Sequence, residues 1–288
     1  MSDEQAVEVS LSDAEPVATV TSPTPQSPGP SIDIAVAAMI SPKETLITYR
    51  DLLDYISRKT GTPTNLVQRE TYAEINNLIR QGDVEMAFVC TGAYVEGKRS
   101  FDMELLVAPQ MYGETYYYSY IIVPANSSAE DLDDLRGKSF AFTDPLSNSG
   151  RLAPTYMLAQ MGESPESLFS GYSYTYSHDK SIEAVSEKVV DGAAVDSLIW
   201  NYFDWKYPDI TAGTKVIVKS PPYGIPPVVV PAGLDASLKD QLRDVLLHMH
   251  EDEEGRRILA EIKITRFVEV DDSIYDSVRE MTEAVGRQ

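Results

Sequence analysis

From residue 32 onward the apolar positions follow two alternating spacings. Residues 32–38 are a short apolar run that reads as a buried strand, and residues 43–59 place Leu46, Tyr49, Leu53 and Ile56 on one helical face. Residues 65–69 read as a second strand, 72–80 as a helix with Ile75, Leu78 and Ile79 inward, and 84–89 as a third strand. That order predicts an α/β unit: a parallel sheet with helices on both faces. The pattern then runs again, as strand 138–143, helix 149–161, strand 172–176, helix 179–190 and strand 193–196. Between the blocks, residues 116–124 are rich in β-branched and aromatic side chains and suit a long strand crossing from one unit to the other, with 223–230 as a return crossing. Two helical stretches, 236–250 and 252–262, follow and are expected to pack back on the first block.

The two blocks carry a short echo. Val84-Glu-Met-Ala-Phe-Val-Cys90 and Val190-Asp-Gly-Ala-Ala-Val-Asp196 both follow a predicted helix, and in that register Cys90 matches Asp196 and Tyr94 matches Trp200. In doubly wound sheets the residues just past the strand ends face the crevice that binds ligands. Ahead of the blocks, residues 1–31 are rich in Ser, Thr, Pro and acidic residues and cannot bury a core, so they are expected to be a disordered, acidic linker. It reads either as a tail without a role or as a tether of the lipoprotein kind whose anchor and signal are not in this chain.

Composition narrows the functions. With 288 residues, 43% of them hydrophobic, the chain can build one large or two modest cores. A net charge of −21 without a Lys/Arg run argues against nucleic acid and against an anionic membrane surface. Any anionic ligand must then be held by local dipoles and hydrogen bonds against the protein's own field. The single cysteine, Cys90, excludes an internal disulfide and a multi-cysteine zinc site. No stretch approaches the roughly 18 consecutive apolar residues of a membrane span.

The segment Asp144-Pro-Leu-Ser-Asn-Ser-Gly-Arg-Leu-Ala-Pro154 lies between a predicted strand and a predicted helix. Ser147, Asn148 and Ser149 are all N-cap formers, and Gly150 lets backbone approach closely. The first turn of such a helix presents free N–H groups at its positive dipole end, an anion site that needs no cation; an ordinary capped helix has the same local sequence. Other motifs lead nowhere. Gly137-Lys-Ser139 lacks the P-loop glycine at position 132, which is Leu, and His248 and His250 do not share a helical face, so no metal site and no cofactor is expected. No nucleophile, base or metal set argues for an enzyme.

The Asp144-to-Pro154 segment resembles the Asp-Pro-x-Ser-Thr-Ser-Gly signature of phosphate/phosphonate (PhnD-like) solute-binding proteins, and Ser177-His-Asp179 with Ala184-Val185 and Val190-Asp191 resembles their second signature. The likeness covers roughly residues 32–270. It implies a type-two periplasmic binding fold: two doubly wound α/β lobes joined by two hinge strands, lobe one being 32–118 plus 225–288 and lobe two 119–224. It further implies reversible, non-enzymatic binding of a small oxyanion between the lobes. Ser147, Asn148 and Ser149 would grip the oxyanion and His178 would add a donor. Asp196 would accept a hydrogen bond from a protonated ligand oxygen or an ammonium, and Tyr94 and Tyr49 would close the first-lobe side. Asn148 stands where the family usually has Thr, and Cys90, placed near the cleft, keeps arsenite as an alternative ligand. The partner implied is a membrane ABC permease, or alternatively a membrane sensor kinase, and the protein is expected to be an extracytoplasmic monomer.

Overall fold

The protein is described here from a computed structural model, over residues 31–286; the expected linker therefore lies, apart from Ser31, outside the described residues. The chain opens with β1 (Ile32–Val36), α1 (Pro42–Thr60), β2 (Thr64–Val67), α2 (Tyr72–Gln81), β3 (Met86–Phe88), α3 (Thr91–Phe101) and β4 (Glu104–Met111). Then come β5 (Tyr116–Tyr117), β6 (Ser119–Pro124), β7 (Ser139–Phe142), a π-helical turn (Asn148–Leu152) running into α4 (Ala153–Gln160), α5 (Pro165–Leu168) and β8 (Gly171–Tyr174). The second half continues with α6 (His178–Ser186), β9 (Gly192–Asp196), α7 (Ser197–Lys206), α8 (Pro208–Thr211), β10 (Thr214–Lys219), β11 (Tyr223–Gly224) and β12 (Val228–Val230). It ends with α9 (Ala236–His248), α10 (Glu253–Glu261), β13 (Ile264–Val268) and α11 (Asp276–Val285).

These strands make two α/β lobes. The first is built on a six-stranded sheet ordered β13-β4-β12-β3-β1-β2, the second on a five-stranded sheet ordered β10-β6-β9-β7-β8. A two-stranded ribbon, β5 against β11, joins them where the chain crosses over and returns. The sheets are mixed, not parallel throughout as the sequence pattern predicted. β1 runs parallel to β2 and β3, and β7 parallel to β8 and β9, but the strands that carry the chain across and back, β6 and β12, run antiparallel to β9 and to β3 and β4; at the edges β13 pairs antiparallel with β4, and β10 pairs antiparallel with β6, which turns it back to the direction of β9. The reason is the double crossing, which returns the chain to each sheet from the opposite direction. The expected single return strand over 223–230 is split for a local reason: Pro226 and Pro227 have no N–H to give a ladder, so β11 ends before them and β12 begins after.

Period-two patterning places each sheet between helices. In β1, Ile32, Ile34 and Val36 pack with Leu52, Ile56, Leu246 and Ile258, while Ala35 and Ala37 on the other face pack with Ile75, Ile79 and Tyr94. The second lobe repeats this: Phe140 and Phe142 meet Leu158 and Phe169 on one face, and Ala141 meets Ile182, Val185 and Phe203 on the other. Burying each such Ile, Leu or Phe stabilises by about 1.5–3 kcal/mol relative to exposure. Helix ends are set by local chemistry. Thr71 and Glu74 form a capping box at α2, and α1 stops at Gly61, whose φ of 70° is the left-handed conformation glycine adopts without strain.

The lobes touch through polar contacts. The His178 N–H donates to the Met39 carbonyl at 2.9 Å, the Ser41 N–H to both Asp179 oxygens at 3.0 Å, and the Tyr72 N–H to Asp144 at 3.1 Å. Farther out, Lys206 of α7 pairs with Glu44 of α1 at 3.1 Å, and Lys263 sits 3.3 Å over the Trp205 ring.

Candidate functional site

The loop after β7 is held by its own backbone. One Asp144 oxygen accepts from the Leu146 N–H at 2.8 Å and the other from the Tyr72 N–H of the opposite lobe, and the Ser147 hydroxyl accepts from the Gly150 N–H at 3.0 Å, capping the π-helical turn. π turns of this kind concentrate at functional sites because they redirect side chains. Gly150 is required sterically, since a Cβ there would lie 2.4 Å from Thr143 Oγ1. Across the interface, a Cβ on Gly92 of α3 would lie 2.3 Å from the Leu146 carbonyl, so α3 can approach the loop only with glycine at that position.

Around this loop, polar atoms are buried without partners. Ser149 Oγ, Asn148 Oδ1, Ser177 Oγ, His178 Nε2 and, from α2 of the first lobe, the Tyr72 hydroxyl have no hydrogen-bond partner. Each such group costs about 1–3 kcal/mol unless a ligand or water pairs with it, which makes this loop the candidate binding site. Asn148 Nδ2 donates to the Tyr117 hydroxyl at 3.0 Å, and the Thr91 side chain lies against the same hydroxyl.

His178 is a neutral donor. The Asp196 N–H donates to its Nδ1 at 3.1 Å, so Nδ1 is the unprotonated nitrogen and Nε2 carries the proton. Burial lowers the imidazole pKa to about 3, which keeps the ring neutral at physiological pH. Asp196 caps α7 by accepting from the Leu198 N–H at 2.7 Å, and burial pushes its carboxyl up to about 7 although the Leu198 and Ile199 N–H groups pull it down. The carboxyl is thus poised between donor and acceptor near neutral pH.

Cys90 is also buried in this region, 4.0 Å from Ser147 Oγ, with the Asn148 and Gly92 N–H groups directed at its sulfur. Burial outweighs those dipoles and pushes the thiol up to about 11, so it is protonated. The sequence echo has a structural counterpart, because Cys90 and Asp196 are the N-cap residues of α3 and α7.

Tyr49 and Tyr94 are placed differently. Tyr49 stands edge-on to Phe88 and lines an interlobe pocket shared with Asp196, and burial raises its pKa to about 12. Tyr94 is not brought to the other residues. Its hydroxyl donates to Asp272 and its ring packs on Tyr275, 4.8 Å away, inside the first lobe. The matching Trp200 likewise turns back into its own lobe and donates to Thr214 at 3.1 Å. It is Tyr72, and not Tyr94, whose hydroxyl lies buried and unpartnered on the first-lobe side. The pattern marked Tyr72 only as the start of an amphipathic helix; its position directly after a capping threonine was the available signal.

Ser147, Asn148, Ser149, His178, Tyr72, Tyr117 and Asp196 include no cation. Neutral donors at a helix start and a carboxyl that can hold a proton form a set suited to a partly protonated oxyanion. Comparison with known proteins agrees on the class. A binding component of an ABC phosphonate transporter from Pseudomonas aeruginosa superposes with a TM-score of 0.85 and 25% identity, over 90% of this chain and 87% of that one. PhnD1 from Prochlorococcus marinus, solved with methylphosphonate, shares the fold at a TM-score of 0.81 and 17% identity, over 90% and 99% of the two chains. The phosphate-import protein PhnD of Mycolicibacterium smegmatis is 26% identical over 181 residues, 59% of this chain and 56% of that protein's length. Residues 34–275 match the family described as ABC transporter, phosphonate, periplasmic substrate-binding protein, and the chain belongs to that family.

Proposed function

We propose that the protein reversibly binds a small phosphorus oxyanion, a phosphonate, phosphite or phosphate-like species, in the cleft between its lobes and delivers it to a membrane ABC permease. The observation that carries this reading is the gathering of buried, unpartnered polar atoms from both lobes, Tyr72 from one and Asn148, Ser149 and His178 from the other. In this reading Ser149 Oγ, His178 Nε2–H and the Tyr72 and Tyr117 hydroxyls donate to the oxyanion. Asp196 shares one proton with it, donating when protonated and accepting from a protonated ligand oxygen when ionised. The Ser147 hydroxyl shapes the turn, and Asn148 orients Tyr117. Cys90 is a packing thiol.

The lobes exchange between open and closed about the β5–β11 ribbon, with boundaries near residues 118 and 224, and closure traps the ligand without covalent chemistry. The segment before Ser31 serves as the tether of an extracytoplasmic protein, and the binding unit is a monomer. Isothermal titration of phosphite, methylphosphonate and phosphate tests the reading: saturable binding at one site is expected, and loss of it in Ser149→Ala and Asp196→Ala. Failure of all the phosphorus oxyanions to bind the wild-type protein would overturn it.

A further inference from the structure

Three consecutive residues of the outgoing crossing, Tyr117 to Ser119, each hold part of the proposed oxyanion site. The Tyr117 hydroxyl accepts from Asn148 Nδ2 at 3.0 Å, and the Ser119 hydroxyl donates to the Ser149 carbonyl at 2.6 Å. Between them, Tyr118 holds Ser197, the residue after Asp196: its N–H donates to Ser197 Oγ and its carbonyl accepts from the Ser197 N–H, both at 3.0 Å. Two of these grips continue to the return crossing. The Thr91 side chain lies against the Tyr117 hydroxyl and donates its own proton to the Gly224 carbonyl of β11 at 2.8 Å. The Ser119 N–H donates to the Ser220 hydroxyl at 2.8 Å, and that hydroxyl donates to the Pro221 carbonyl at 2.7 Å. Two parallel relays thus start on carbonyls of the return crossing, pass through the outgoing one and end on the turn after β7, one at Asn148 and one at Ser149. Thr91, Tyr117, Ser119 and Ser220 are all buried, so a bond broken on one side leaves a polar group unsatisfied.

We infer that Thr91 and Ser119 are positioning residues for oxyanion binding, Thr91 acting through Tyr117 on Asn148 and Ser119 acting directly on the Ser149 peptide. The inference rests on the proposed function and adds two residues that are not among its ligand contacts. Ser119 fixes the Ser149 carbonyl, and with it the backbone that aims Ser149 Oγ, the buried hydroxyl without a partner. Thr91 holds the Tyr117 hydroxyl where Asn148 Nδ2 reaches it, which sets the orientation of that amide. Both relays are anchored in the segments that bend in the proposed closure, so the geometry of the turn is tied to how the lobes are joined.

The test is isothermal titration of methylphosphonate into the wild-type protein and a set of variants. Thr91→Val keeps the side-chain shape and removes the hydroxyl, whereas Thr91→Ser keeps the hydroxyl and removes a methyl. Thr91→Val is expected to weaken binding about 3- to 10-fold, the worth of one hydrogen bond, and Thr91→Ser to stay within about twofold of the wild type. Ser119→Ala should weaken binding by a similar factor, and it carries the test if Thr91→Val does not fold. A double-mutant cycle separates positioning from packing. With Asn148→Ala in place, Thr91→Val should have no further effect, while Ser119→Ala should keep its full effect, because the two relays end on different residues. Wild-type affinity in both Thr91→Val and Ser119→Ala, equal losses in Thr91→Val and Thr91→Ser, or a Thr91→Val loss undiminished by Asn148→Ala would overturn this inference and leave the oxyanion reading intact. Failure of the wild-type protein to bind methylphosphonate, phosphite or phosphate would overturn both.

Discussion

Ser149 and Asp196 carry opposite kinds of burden. Ser149 Oγ is buried and unpartnered, so its removal takes away a desolvated group and not a bond. Ser149→Ala should therefore leave the melting temperature unchanged or slightly raised, while titration shows ligand affinity lower by about 10-fold or more, the worth of a charge-assisted hydrogen bond. A scaffold serine would give the reverse. Asp196 has its pKa raised from 3.8 to about 7 by burial, so its contribution to stability is present below pH 4 and is lost as pH rises toward 7. Asp196→Asn should accordingly raise the melting temperature more at pH 8 than at pH 5. If Asp196 and the ligand share one proton, affinity should fall by up to about tenfold per pH unit above the higher of their two pKa values, and Asp196→Asn should flatten that slope. The residues of the proposed oxyanion site were legible in unequal measure. Ser147, Asn148 and Ser149 stand together in the sequence and announce a helix start by themselves, whereas Tyr72 and Tyr117 reach the site from distant elements through tertiary packing that periodicity does not encode.

At the level of elements, the amphipathic helices and the first strands of each block were legible because their apolar spacing is regular: α2 spans Tyr72–Gln81 where the pattern marked 72–80. The elements missed were α3, β4, α5, α7, α8, β10, β13 and α11. α3 and α7 begin directly at the strand ends, at Thr91 and Ser197, with no loop to announce them, and α3 contains Gly92 and Gly97, which weaken a helical reading. α6 stops at Ser186, short of the predicted residue 190, where Lys188 adopts a left-handed φ of 61°. α1 and α7 also make one of the contacts between the lobes. Lys206 and Tyr207 of the α7–α8 junction both reach Glu44, and that ion pair is only 25% and 14% exposed. Glu44→Gln should loosen the closed form and weaken every ligand by a similar factor, about two- to fivefold, since a half-buried pair contributes on the order of 1 kcal/mol. The effect should shrink at high salt, and titration at two ionic strengths measures it.

For the whole molecule, the two-lobe α/β fold followed from the repeated strand–helix pattern together with the signature resemblance, and the mixed strand directions did not, because they depend on where the chain crosses between lobes. A net charge of −21 makes the absence of cations among Ser147, Asn148, Ser149, His178, Tyr72, Tyr117 and Asp196 informative: in the proposed reading, specificity for an anion comes from oriented neutral donors and one shared proton, and not from attraction at long range. Ligand at 100 times its Kd should stabilise the protein by about 2.7 kcal/mol, a rise in melting temperature of roughly 5–10 °C for a chain of this size. The most direct test of the account is isothermal titration of methylphosphonate into the wild-type protein and into Ser149→Ala, Asp196→Ala and Cys90→Ser. The account predicts one saturable site, retained in Cys90→Ser and lost in the other two. Binding that survives Ser149→Ala and Asp196→Ala, or that disappears with Cys90 alone, would contradict it.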